Sequence, residues 1–231
     1  MEANRGLPPI TPVLDSERSS RTMHAVMSTT SPSADPLHLP PECEPALLER
    51  FLKAEAMALW AVRSAQLQDV PLNVQTFLCR HEADEQSHLG QFEALVGHPS
   101  HGRGRLPAMP RQWPVLAVQL YGYESLGLEF ARLLVVLRPD LASILADEEA
   151  HVGFFEREVA RLLAGHGLSA EQTKSSARAW WRKLPRTLDR YFEAPALASV
   201  RATVAAGILA TIEQRLIRMG LLTPPSSQRI S

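Results

Sequence analysis

Two five-residue words in this chain have the composition of metal-binding sites: Asp84-Glu85-Gln86-Ser87-His88 and Asp147-Glu148-Glu149-Ala150-His151. Both read Asp-Glu-x-x-His. On a helix, residues three apart share a face, so each word aims a carboxylate and an imidazole at one point. Mixed oxygen and imidazole donors suit iron, which is the expected metal, or manganese; zinc can use the same groups. The two cysteines, Cys43 and Cys79, lack a Cys-x-x-Cys spacing, which argues against a thiolate-held metal or a disulfide framework. A single Glu-x-x-His is weak evidence, because such pairs usually lie on a solvated helix surface. The surrounding helices strengthen it.

The first word falls in a segment where Val74, Leu78, His81, Glu85, His88, Phe92 and Leu95 alternate at steps of three and four, the buried seam of an amphipathic helix. The second falls among Leu141, Ile144, Glu148, His151, Phe155, Val159 and Leu162 in the same way. Two further helices are expected before and between them. One carries Leu48, Phe51, Leu52, Leu59 and Val62, with Glu55 on the same stripe. The other carries Ala117, Leu120, Tyr121, Leu128, Ala131 and Val135, with Glu124 on the stripe and Gly122 and Gly127 on either side of it. A carboxylate on a core-facing stripe is costly unless it is paired or binds metal, so these two glutamates are informative.

Six candidate ligands result: Glu55, Glu85, His88, Glu124, Glu148 and His151. Four glutamates balance two divalent cations, leaving a cluster near neutrality that a bundle interior can hold. Asp84 and Asp147 are expected in a second layer, each orienting the histidine of the opposite helix, Asp84 to His151 and Asp147 to His88. His81, one turn before Glu85, is placed in that layer too, with a core histidine bonded to backbone as the alternative. A slip in helix phase would bring in Glu82, Glu129 or Glu149 as alternative ligands.

One Glu from each of two helices and a Glu-x-x-His from each of the other two resembles the ferritin-like di-iron carboxylate superfamily, over residues 44–165. The resemblance implies an all-α fold, a four-helix bundle with a long crossover between helices 2 and 3, here followed by two additional C-terminal helices. It also implies two iron ions and reaction with dioxygen. The preferred reading is an oxidoreductase that hydroxylates or N-oxygenates a small organic substrate, with the metal cluster itself as the catalytic group and an external electron donor or reductase. The alternatives are a ferroxidase or peroxide-detoxifying protein, and a non-enzymatic metal-stabilised bundle that binds a partner through a basic C-terminal helix. No substrate-specific residue carries over.

Residues 1–44 are rich in Pro, Ser and Thr without a hydrophobic period and read as a disordered arm. The bundle is expected over 45–168, the two C-terminal helices over 169–220, and a flexible tail over 221–231. Ser169 and Gln172 have the spacing of a capping box for the fifth helix. Acidic and basic residues nearly balance, 25 against 24, which argues against nucleic acid as a partner. No apolar run reaches the length of a membrane span, so a cytoplasmic protein is expected, with room for a homodimer.

Overall fold

A computed structural model describes residues 39–100 and 108–224, and every regular element among them is helical. The α-helices are α1 Glu44–Gln66, α2 Leu72–Val96, α3 Trp113–Leu137, α4 Ala142–Ala164, α5 Gly167–Trp181, α6 Leu184–Tyr191 and α7 Arg201–Arg218. Short 3₁₀ turns occupy Pro41–Cys43, Pro139–Leu141 and Pro195–Leu197.

Proline sets several helix starts. It stands in the first turn of α1, α3 and α6, where a missing N–H costs nothing, and Pro71 directly precedes α2. Gly97 ends α2 in the left-handed conformation, φ 83°, with its N–H donating to the Glu93 carbonyl at 2.9 Å.

Short connections fold α1 back on α2 and α3 back on α4, and each pair packs together. Contacts between α1 and α3 and between α2 and α4 close the four into a bundle. Phe51, Leu52, Leu78, Phe92, Leu120, Leu128 and Phe155 fill its interior. Each such side chain contributes roughly 1.5–3 kcal/mol on burial. Among the described residues no helix is long and apolar enough to cross a membrane.

The chain departs from the sequence reading at its edges. Helical structure begins before residue 45: Leu39 and Cys43 are buried, and the Cys43 thiol donates to the Ala196 carbonyl at 3.4 Å. Residues 1–38, including most of the expected arm, lie outside the described residues. So do 101–107 in the connection between α2 and α3, and 225–231 of the expected tail, whereas Leu221 is buried.

Among the described residues three α-helices follow α4 where two were expected. The expected fifth helix is two, α5 and α6, broken at 182–183 just before Pro185 removes a helical donor. The expected capping box is absent. Ser169 lies inside α5, where its carbonyl accepts from Thr173 Oγ1 at 2.7 Å; the left-handed pair His166 and Gly167, φ 53° and 69°, starts the helix earlier. α5 packs on α3 and α4, and α7 packs on α3 and α6. A Cβ at Gly122 would collide with the Trp180 ring, so the glycine lets α5 lay its indole on the α3 backbone.

Candidate metal centre

Two groups of buried residues in the bundle interior could each hold a metal ion: His81, Glu85, Glu124 and His151, and Glu55, Glu85, His88 and Glu148. Within each group, one donor atom per residue lies within 4.8 Å of all the others. Glu85 belongs to both. Each residue's exposure is 6% or less, so these are carboxylates and imidazoles removed from water. The six candidates from the sequence are therefore together in space, and His81, expected behind them, stands level with them. Its Nε2 lies 2.8 Å from Glu85 Oε1 and 3.3 Å from Glu124 Oε2.

The histidines are oriented from outside. Nε2 of His88 donates to Asp147 Oδ2 at 3.1 Å, and Nε2 of His151 donates to Asp84 Oδ2 at 3.2 Å. These are the crossed pairs that the two words imply. With the proton on Nε2, the Nδ1 lone pair of each ring faces inward. His88 Nδ1 is 3.6 Å from Glu55 Oε2, and His151 Nδ1 is 3.5 Å from Glu85 Oε1, both beyond hydrogen-bonding reach. Neither Nδ1 makes a hydrogen bond among the described residues, and the same holds for Glu55 Oε2 and Glu85 Oε2. Buried polar atoms aimed at one another without partners fit a divalent cation, which would satisfy them together.

The electrostatics of the metal-free protein show the strain of this arrangement. Burial raises Glu85 to about 8, with Glu55 and Glu124 adding to it against the His81 hydrogen bond. Burial and the charges of Glu124, Glu85 and Glu55 hold Glu148 well above the ordinary carboxylate range. His88 rises to about 9 because Glu55 outweighs the burial that would lower it, and His81 rises to about 10 because Glu124 and Glu85 do the same. His151 is lowered by burial and by His81, whose ring centroid is 3.9 Å away. Protons thus take the role of counter-charge that metal ions would fill.

The phase-slipped candidates lie elsewhere. Glu82 accepts from Arg63 and Gln66, each at 2.7 Å. Glu129 accepts from Arg132 at 2.8 Å, and Glu149 lies exposed 3.6 Å from the same guanidinium.

The two faces of the centre differ. On the histidine face, Phe77 stacks on Phe154 with centroids 3.6 Å apart and meets the rings of His81, His151 and Phe155. On the carboxylate face lies a cavity of about 470 Å³ whose inner wall includes Glu55, Glu124 and Glu148. Ala58 and Gly127 keep it open, and a Cβ at Gly127 would stand 2.8 Å from Glu148 Oε2. Its outer wall is α6, through Thr187, Arg190 and Tyr191, anchored by the Tyr191 ring 5.0 Å from that of Phe130. Of the aromatics near the centre, Tyr123 lines this cavity, while Tyr121 donates to Glu156 at 3.1 Å.

The sequence reading has the C-terminal helices as walls of a pocket but does not single out residues 184–191, since nothing local marks the face they cover. Its signal for the cavity was the glycine pair beside Glu124, Gly122 and Gly127; the small residue three positions after Glu55, Ala58, is a signal it did not use. A scan against protein-family models, a search of curated proteins and a search of solved structures each find no match to this chain.

Proposed function

We propose that this chain is a ferritin-like bundle holding two metal ions, preferably iron, and that it uses dioxygen to oxidise a small organic molecule in the adjoining cavity. The observation that supports it most is the pair of buried donor groups sharing Glu85 and meeting the cavity on their carboxylate face. Ferrous ions bound there would supply the electrons for reducing dioxygen.

The chain's own residues do the rest. Glu55, Glu85, Glu124 and Glu148 offset the ionic charge, with His81, His88 and His151 as neutral donors. Asp84 and Asp147 fix two of those rings, so that their Nδ1 atoms stay aimed inward. Phe77, Phe154 and Phe155 exclude water from the histidine face. Ala58 and Gly127 leave a substrate room against the carboxylate face. An external electron donor or reductase completes the reading.

The test loads the protein anaerobically with ferrous iron and exposes it to ¹⁸O₂, a reductant and a panel of aromatic and aliphatic amines and carboxylic acids. Label in an organic product supports the proposal. Oxygen uptake that proceeds only with excess ferrous iron contradicts it and favours a ferroxidase.

A further inference from the structure

The cavity has two chemically different ends. Its inner end is the carboxylate face, and its body is walled by Ala54, Met57, Ala58, Leu126 and Phe130. At the outer end stand Thr187 and Arg190 of α6. These two residues also belong to two surface depressions that flank the mouth. One is lined by Arg182, Lys183, Arg186 and Asp189, the other by Arg50, Lys53 and Glu193. Six basic side chains therefore surround the opening against two acidic ones, in a chain whose total charge is nearly balanced.

Most of that positive charge is unspent. Arg50 pairs with Glu193 at 3.3 Å, but among the described residues no carboxylate comes within ion-pairing distance of Lys53, Arg182, Lys183, Arg186 or Arg190. A guanidinium at the rim of an apolar cavity offers forked donors to a planar anion, and its neighbours draw anions toward the opening. The volume suits one small molecule, as pockets for such ligands run from roughly 300 to 1,000 Å³.

The geometry points to an organic anion with an apolar body as the ligand: a carboxylate held at the mouth by Arg190, with its apolar end reaching inward to Glu55, Glu124 and Glu148. It enters with the charge outward, since the inner carboxylates repel an anion and the apolar walls solvate the body instead. This names the substrate class of the centre proposed above and rests on that reading for the chemistry at the inner end. Binding itself needs only the cavity and its rim.

Isothermal titration of the full chain, metal-free and loaded with redox-silent zinc, tests this with octanoate and 4-phenylbutyrate. Acetate, 1-octanol and 4-phenyl-1-butanol are the controls. Binding of one carboxylate per chain is expected, at least about tenfold tighter than its alcohol and with no measurable binding of acetate. Arg190→Gln should remove the preference for the carboxylate and leave the alcohol's affinity unchanged. Ala58→Phe should abolish binding of both. Thr187→Trp at the half-buried mouth tests the same blockage without altering the bundle core. Equal affinity for acid and alcohol, unchanged carboxylate affinity in Arg190→Gln, or unchanged affinity in both blocking variants would overturn the inference. So would a polyanion such as short RNA binding the rim while the carboxylates do not. Zinc bound without carboxylate binding removes this inference alone, whereas carboxylate binding in a chain that takes up no metal removes the proposed centre and leaves the anion site.

Discussion

The hairpin of α1 and α2 and the hairpin of α3 and α4 carry the same chemistry in the same order, and their differences are more instructive than their likeness. Glu55 matches Glu124, and Asp84-Glu85-x-x-His88 matches Asp147-Glu148-x-x-His151, each with a buried Phe four residues after the histidine, Phe92 and Phe155. They diverge a turn before the word. There the first hairpin has His81 and the second has Ile144, both buried. They diverge again beside the stripe glutamates, where Lys53 is exposed on α1 while Gly122 on α3 receives the Trp180 ring. The first difference makes the two donor groups unequal, with two histidines in one and one in the other. The second shows which hairpin the C-terminal helices cover.

Removing what the hairpins share should cost most. Glu85→Ala takes a donor from both groups, and metal analysis after dialysis should show essentially no retained ion. Making the hairpins alike is the next largest change. His81→Ile copies Ile144 and should weaken one ion by more than about 100-fold while sparing the other, because only one group loses a donor. Competition with a chelator resolves the two affinities; equal weakening of both ions would mean the groups are not distinct. Asp84→Asn and Asp147→Asn should each cost about 10–100-fold, the first at the group containing His151 and the second at that containing His88.

The smallest effect is in the pH dependence of the metal-free chain. Glu85, His88 and His81 have folded-state pKa values raised to about 8, 9 and 10. A raised folded pKa means the native state holds its proton longer than the unfolded chain, so the stability it contributes is lost as pH rises through the folded value. Glu124 and His151 are lowered and act in the opposite sense, but at pH values running downward from their ordinary 4.5 and 6.5, below this range. Melting temperature without metal should therefore fall between pH 7 and 10. Zinc should recover more of it at the upper end, because metal and protons compete for the same atoms. A melting temperature that rises over this range would show that the buried carboxylates and histidines are not coupled as described.

The hairpins were legible in the sequence because a period near 3.6 and the two words lie within single helices. Stripe positions such as Leu52, Leu78 and Phe155 follow from that period and are buried. The standing of His81 was less legible: one turn before Glu85, a histidine can satisfy itself on backbone or face the carboxylates, and only the approach of Glu124 from α3 decides. The break before α6 was hidden because Lys183, Arg186 and Arg190 continue the basic character of α5. The cavity was hidden for a deeper reason. Its walls come from α1, α3 and α6, far apart in the chain, and no local pattern specifies their meeting.

Seven buried side chains, with Glu85 shared between the two groups, make up the proposed two-metal centre. Anaerobic titration with ferrous iron, followed by Mössbauer spectroscopy, tests it most directly. About two ions per chain in two distinguishable environments, falling to one retained ion in His81→Ile, is the predicted result. One ion or none in the unaltered chain, or two ions that His81→Ile leaves unchanged, would contradict it.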